Sequence, residues 1–155
     1  MGIKSFQGSR AEPEKVESGQ ISVSDYMQTN LITFTEDQTI FEVMELLMKH
    51  KISGGCVVNE RNELLGVISE GDCMKHISDS RYYNMPMEDY RVENRMTCNV
   101  TTIDANMNVL DAAKKFIEHK FRRFPIVRNG KLVGQISQRD VLQAALNLRG
   151  QNWHI

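Results

Sequence analysis

The chain carries one long passage twice, about 69 residues apart, and each copy ends in Gly-x-Ile-Ser-x-x-Asp, at residues 66–72 and 134–140. Upstream of these endings, Met27 falls on Met96, Thr33 on Thr102, His50-Lys51 on His119-Lys120, and Val57-Val58 on Ile126-Val127. One residue is lost in a turn, where 59–62 shortens to 128–130. Such a unit exceeds the roughly 20 to 50 residues of solenoid repeats, and two copies predict a pseudo-two-fold pair that buries one face against the other. With 155 residues, the chain can make one domain-sized body, or two half-size lobes that depend on each other.

Each copy presents the same order of local signals. Thr39-x-x-Glu42 is a capping box ahead of Ile40, Val43, Met44 and Leu47, which recur at helical spacing. In the second copy Asn108 takes the cap position, with Asp111 three residues on, before Val109, Ala112, Ala113, Phe116 and Ile117. A short extended stretch precedes the first helix at 32–34, and short apolar strands follow the two helices at 56–58 and 125–127. After a polar turn come second strands at 64–68 and 132–136, then helices from Asp72 and Asp140. Each repeat therefore reads strand, helix, strand, strand, helix, a mixed α/β (α+β) class. Val23 and Val92 open the repeats with short helices.

These signals predict a flexible tail at 1–20, whose few apolar residues cannot offset the entropy of ordering. The first repeat then covers 21–79, a packed connection 80–91, the second repeat 92–148, and a tail with Trp153 covers 149–155.

A net charge of -1, from 19 basic and 20 acidic residues, leaves no electrostatic footprint for nucleic acid or an anionic membrane. No apolar run approaches the roughly 20 residues that span a bilayer, and residues 1–20 lack a signal-peptide core, so a cytoplasmic protein is expected. Cys56, Cys73 and Cys98 are odd in number and without C-x-x-C spacing, which predicts small buried hydrophobes in place of disulfides or a zinc knuckle. His50 and His119 end the paired helices, where a cation complements the dipole. His76 and His154 have no partner at metal-ligand spacing, and no nucleophile–base pair stands out, so neither a metal site nor catalysis is expected. The nine methionines read as core or interface filler.

The repeated ending carries the chemistry. Gly66 and Gly134 lack a Cβ and let another chain or a ligand approach the backbone, while Ser69 and Ser137 stand at helix N-caps. Free N–H groups at a helix start favour an anion. Asp72 and Asp140 are carboxylates on the same rim, suited to vicinal hydroxyls such as those of a ribose, so phosphate and diol together point to a nucleotide. The same Ser-x-x-Asp is also an ordinary capping box, worth about 0.5 to 2 kcal/mol with no ligand. Recurrence in both copies, and the cations Lys120, Arg122, Arg123 and Arg139 around the second, favour the nucleotide.

Val-x-x-x-Met openings, the two Gly-x-Ile-Ser-x-x-Asp endings and the strand Phe124-Pro125-Ile126-Val127 give the chain a family likeness. Over 21–148 it resembles a tandem pair of CBS domains, the Bateman module, in its stand-alone bacterial form. The resemblance implies two β-α-β-β-α lobes related by pseudo-two-fold symmetry, with sheets packed face to face and homodimerisation into a flat disc through the helices. It also implies up to two clefts per chain for AMP, ADP, ATP or S-adenosylmethionine, with no obligatory cofactor. Carried onto this chain, it puts ribose at Asp140, phosphate near Ser137 and Arg139, and the adenine edge at Thr101 and Thr102. Arg122, Arg123, Phe124 and Pro125 would run along the base. The first copy matches at Thr33, Ser69 and Asp72 but departs at Gly55, Cys56 and Gly71: Gly54-Gly55-Cys56 replaces Arg123-Phe124-Pro125, and Glu70-Gly71 replaces Gln138-Arg139. A neutral adenosine moiety, a weakly held nucleotide and an empty cleft all remain open there. The implied role is an adenosine-ligand sensor acting on a separate effector protein. Its rivals are a ligand-free dimerisation scaffold and a nucleotide-directed enzyme.

Overall fold

Thr39 starts the first long helix as a full capping box: its hydroxyl accepts from Glu42 N at 3.1 Å, and the Glu42 carboxylate accepts from Thr39 N at 2.9 Å. The helix, α1 (Ile40–His50), then buries Ile40, Val43 and Leu47 at the expected spacing. Its counterpart α3 (Val109–His119) starts from Asn108, whose side chain accepts from Leu110 N at 2.7 Å, and buries Val109, Ala112 and Phe116. Both helices stop at a lysine in the left-handed region, Lys51 at φ 55° and Lys120 at φ 56°. The computed structural model describes residues 21–83 and 90–149. The expected tails, with Trp153 and His154, and the Pro86 part of the connection lie outside the described residues.

Besides the one-turn 3-10 helices that open the repeats, Val23–Asp25 and Val92–Asn94, the remaining elements are β1 (Thr33–Phe34), β2 (Gly54–Val58), β3 (Leu64–Ser69) and α2 (Glu70–Tyr83), then β4 (Ile103–Asp104), β5 (Arg123–Arg128), β6 (Lys131–Ser137) and α4 (Gln138–Arg149). Each lobe holds a three-stranded sheet, ordered β1-β2-β3 or β4-β5-β6. The outer strand pairs parallel to the central one through its crossover helix, and the hairpin pairs antiparallel. The fold is therefore the mixed class expected, in two β-α-β-β-α lobes. Helix α2 runs to Tyr83 and so extends into the stretch expected to be connection.

The segment that opens each repeat belongs structurally to the opposite lobe. Val23, fully buried, packs among Ile103, Val109 and Phe124 of the second core, and Val92 packs among Phe34, Ile40 and Val57 of the first. Backbone bonds hold both in place: Val23 N donates to Met107 O at 2.8 Å, and Val92 N to Gln38 O at 2.9 Å. Further along, Gln28 exchanges two backbone bonds with Gln135 on β6, and Thr97 exchanges two with Val67 on β3. The repeated glycines admit this crossing. A Cβ at residue 66 would stand 2.5 Å from the Thr97 carbonyl oxygen, and one at residue 134 would stand 2.5 Å from Met27 Sδ. The close approach expected at these glycines is thus made by the chain itself.

On the pseudo-two-fold axis the hairpin tips meet. Leu132 N donates to Asn62 O at 2.9 Å, Asn62 Nδ2 donates to Leu132 O at 2.6 Å, and the backbones of Glu63 and Lys131 form an antiparallel β-bridge. The inward faces of the sheets close over Cys56, Val58 and Leu132 with Leu31, Leu64 and Val67. Burial of each such aliphatic side chain is worth roughly 1.5 to 3 kcal/mol, so closure of the two sheets on each other adds to the stability of both lobes. His76, left without a role by the sequence, is buried on α2 and stacks on Tyr90 at 4.6 Å; the Arg95 guanidinium lies 5.0 Å from the centroid of the Tyr90 ring and pairs with Asp79 at 2.7 Å.

Candidate functional site

Each Ser-x-x-Asp builds a reciprocal box at the head of its helix. Asp72 Oδ2 accepts from Ser69 N at 2.8 Å and Ser69 Oγ at 3.1 Å, while Asp72 N donates to Ser69 Oγ at 3.4 Å. Asp140 repeats the pattern with Ser137 at 2.8, 3.0 and 3.2 Å. The box occupies only Oδ2 in each case. In the second repeat the other oxygen, Asp140 Oδ1, accepts from Gln28 Nε2 at 3.1 Å. The equivalent crossing residue in the first repeat is Thr97, whose side chain is shorter.

Between the lobes lies a cleft of about 300 Å³. The first lobe supplies the start of β2, at Gly54, Gly55 and Cys56, and the end of β3, at Val67 and Ser69. The second lobe supplies Phe121, Arg122, Arg123 and Pro125. The crossing segment closes one side with Thr97, Asn99 and Thr101. Among the described residues, the charged side chains that line it are Arg122 and Arg123, both exposed. Arg123 Nη1 reaches across the lobes to Ser53 Oγ at 3.2 Å. The rest is apolar or neutral, so the cleft suits a flat, largely apolar group carrying negative charge.

The residues expected to bind are thus regrouped. Thr101, Arg122, Arg123 and Pro125 of the second repeat share one cleft with Gly55, Cys56 and Ser69 of the first. Thr102, Ser137, Arg139 and Asp140, with Thr33, Gly71 and Asp72, are not among its lining residues. Asp72 still stands one turn behind through its bonds to Ser69. Phe124, expected along the base, is fully buried against Phe116, 4.7 Å between centroids, on the core face of β5, and is not among the residues that line the cleft. Alternation along the strand gives its neighbour Pro125 the cleft face instead. Gly71 and Arg139 occupy equivalent first-turn positions and are both exposed.

Phe121, Ser53, Asn99 and Gln135 also line the cleft and were missed in the sequence. Phe121 is exposed and stacks on His119 at 5.9 Å. Its signal was the single aromatic between a helix end and the arginine pair. Cys56 faces the cleft as a buried thiol, and burial pushes its pKa up to about 11, so it lines the wall as a neutral, unreactive group. Among the described residues no cluster of three metal-ligating side chains occurs, and no helix is long and apolar enough to cross a membrane.

The family model for the CBS domain matches residues 23–79 and 88–147. An uncharacterized protein of Methanocaldococcus jannaschii is 30% identical over 131 residues, covering 84% of this chain and 44% of that protein, so the chain spans less than half of that relative's length. The CBS domain-containing protein YhcV of Bacillus subtilis is 28% identical, over 86% of this chain and 99% of its own. Among solved structures, CBSX2 of Arabidopsis thaliana in complex with AMP is similar with a TM-score of 0.72 and 29% identity, over 83% of this chain and 98% of that one. With two matched repeats folded as paired β-α-β-β-α lobes that exchange their opening segments, the chain belongs to the CBS domain family.

Proposed function

We propose that the protein is a regulatory module that binds an adenosine-containing ligand, AMP, ADP, ATP or S-adenosylmethionine, between its two repeats. Binding is passed to a separate effector protein, and the module catalyses no reaction. The observation that carries this reading is the inter-lobe cleft of about 300 Å³, apolar along its walls and lined by Arg122 and Arg123. The AMP held by CBSX2, a relative of similar fold, supports it. Because both lobes and the crossing segment contribute to the walls, a ligand there favours one lobe arrangement over another, which is sufficient for sensing. The working unit in this reading is a cytoplasmic homodimer. Apolar residues left exposed on the helices, Met48, Ile117, Leu142 and Leu146, each at least 60% accessible, are the surface that dimerisation would cover.

Thermal unfolding with and without each of the four ligands tests the reading. A ligand at 100 times its Kd adds about 2.7 kcal/mol, a shift of several degrees. If none of the four shifts the transition, the ligand-binding reading falls. A ligand-free dimerisation scaffold then takes its place, favoured by the two closed Ser-x-x-Asp boxes, which cap their helices unaided.

A further inference from the structure

The outward faces of the two helix pairs are copies of each other in their apolar residues and opposites in their charges. Phe41 and Met48 on α1 are 45% and 77% exposed, and their repeat equivalents on α3, Leu110 and Ile117, are 42% and 77% exposed. Met74 on α2 and Leu142 on α4 form a third such pair, at 62% and 64%. Helical spacing puts Glu45 between Phe41 and Met48 on one face, and Lys114 between Leu110 and Ile117 on the other. Both are exposed, and among the described residues neither takes part in an ion pair. One turn on, the equivalent residues Lys49 and Glu118 exchange signs in the same way. The reversal extends to the lobes. Residues 30–83 and 90–98, the first lobe with the segment that packs on it, hold ten Asp and Glu against seven Lys and Arg. Residues 21–29 and 99–149, the second lobe with its own, hold five against nine.

Resting on the homodimer of the proposed function, we infer that the second copy docks head to tail, the α1–α2 face of each chain on the α3–α4 face of the other, with Glu45 opposite the partner's Lys114. Apolar residues exposed alike on both faces fix where two copies meet, but not which lobe meets which. Charge decides that. A two-fold or pseudo-two-fold contact centred on the stripe brings its middle positions together. Pairing of like lobes would set Glu45 against the partner's Glu45 at one contact and Lys114 against the partner's Lys114 at the other. Each pair would sit among apolar side chains that exclude water, where like charges cost most. Head-to-tail pairing makes both contacts Glu45 with Lys114. One two-fold axis generates both, so the assembly closes at two chains. The opposite net charges of the lobes favour the same orientation as the copies approach.

Sedimentation equilibrium of the full chain and its charge-reversed variants tests the pairing. The wild type should be a dimer. Glu45→Lys and Lys114→Glu should each raise the dimer Kd about tenfold at low salt, because each turns two attractions into two repulsions. The double variant Glu45→Lys/Lys114→Glu should return to within about threefold of the wild type. Salt at about 1 M, where the Debye length falls to about 3 Å, should shrink the single-variant effects. When mixed, the wild type and the double variant should sort into separate homodimers, since a mixed head-to-tail pair would join like charges. Single variants that associate like the wild type, a double variant no tighter than the singles, preferential mixed dimers, or growth beyond two chains overturns the head-to-tail arrangement. A wild type that stays monomeric removes the homodimer as well, and leaves the ligand-binding reading to the thermal shift, which is read on the same protein without reference to its mass.

Discussion

The ring of Phe34 occupies the space that a side chain at residue 55 would need: a Cβ on Gly55 would lie 2.7 Å from Phe34 Cε2. In the second lobe the same two positions hold Ile103 and Phe124, both fully buried. The large ring comes from the outer strand β1 in one lobe and from the central strand β5 in the other. The first repeat's departure at Gly55 is therefore a packing exchange within the core, and it leaves the wall of the cleft intact.

Gly55→Phe alone should destabilise the protein by about 3 kcal/mol or more, since overpacking a filled site forces backbone and side chains to shift. Adding Phe34→Ile, which recreates the second lobe's arrangement, should recover part of that loss. Urea unfolding of the two single variants and the double gives the coupling. Strict additivity of the three would mean that the two positions do not share one volume.

The crossing of segments between lobes makes the two repeated glycines, Gly66 and Gly134, unequal. A Cβ at residue 66 meets the backbone oxygen of Thr97, whereas one at residue 134 first meets Met27, a flexible side chain, and the Gln28 carbonyl only at 2.9 Å. Gly66→Ala should cost about 2 to 3 kcal/mol and Gly134→Ala distinctly less, by chemical denaturation. Met27→Ala should relieve part of the second cost and none of the first.

Burial raises the pKa of Cys56 from 9.0 to about 11, and burial together with the negative charges of Asp72 and Glu70 raises that of Cys73 to about 11. Both thiols are protonated in the folded state when unfolded thiols have begun to ionise. Their contribution to stability is fully present below pH 9 and is lost as pH rises from 9 through 11. A thiol-specific reagent at pH 8 should modify the exposed Cys98 quickly and the other two only after unfolding. Rapid modification of Cys56 in the native protein would contradict the burial of its thiol.

Each Ser-x-x-Asp box also has a stability role separate from any ligand. Ser137→Ala removes the acceptor for Asp140 N and should lower unfolding free energy by about 0.5 to 2 kcal/mol without nucleotide present. Ser69→Ala should show a similar ligand-free loss through Asp72 N. In addition it should weaken AMP binding, because Ser69 lines the cleft and Ser137 does not. Calorimetry beside denaturant unfolding separates the two effects.

The repeat, the helices at Ile40–His50 and Val109–His119, their caps and the hairpins were all legible in order along the chain, because each depends on spacing and on contacts within a few residues. So were the two Ser-x-x-Asp boxes, whose hydrogen bonds all lie within one turn. Which residues face one another was not legible. Alternation along β5 turns Phe124 into the core and Pro125 to the cleft, the exchange of opening segments sends Val23 to the second lobe and Val92 to the first, and Arg123 reaches Ser53 of the other repeat. Residue order and spacing settled what each repeat would form, since a local pattern carries local energy. The way the repeats share their parts, and so which motif meets which arginine, depended on contacts between residues tens of positions apart, which exist only once both lobes have closed on each other.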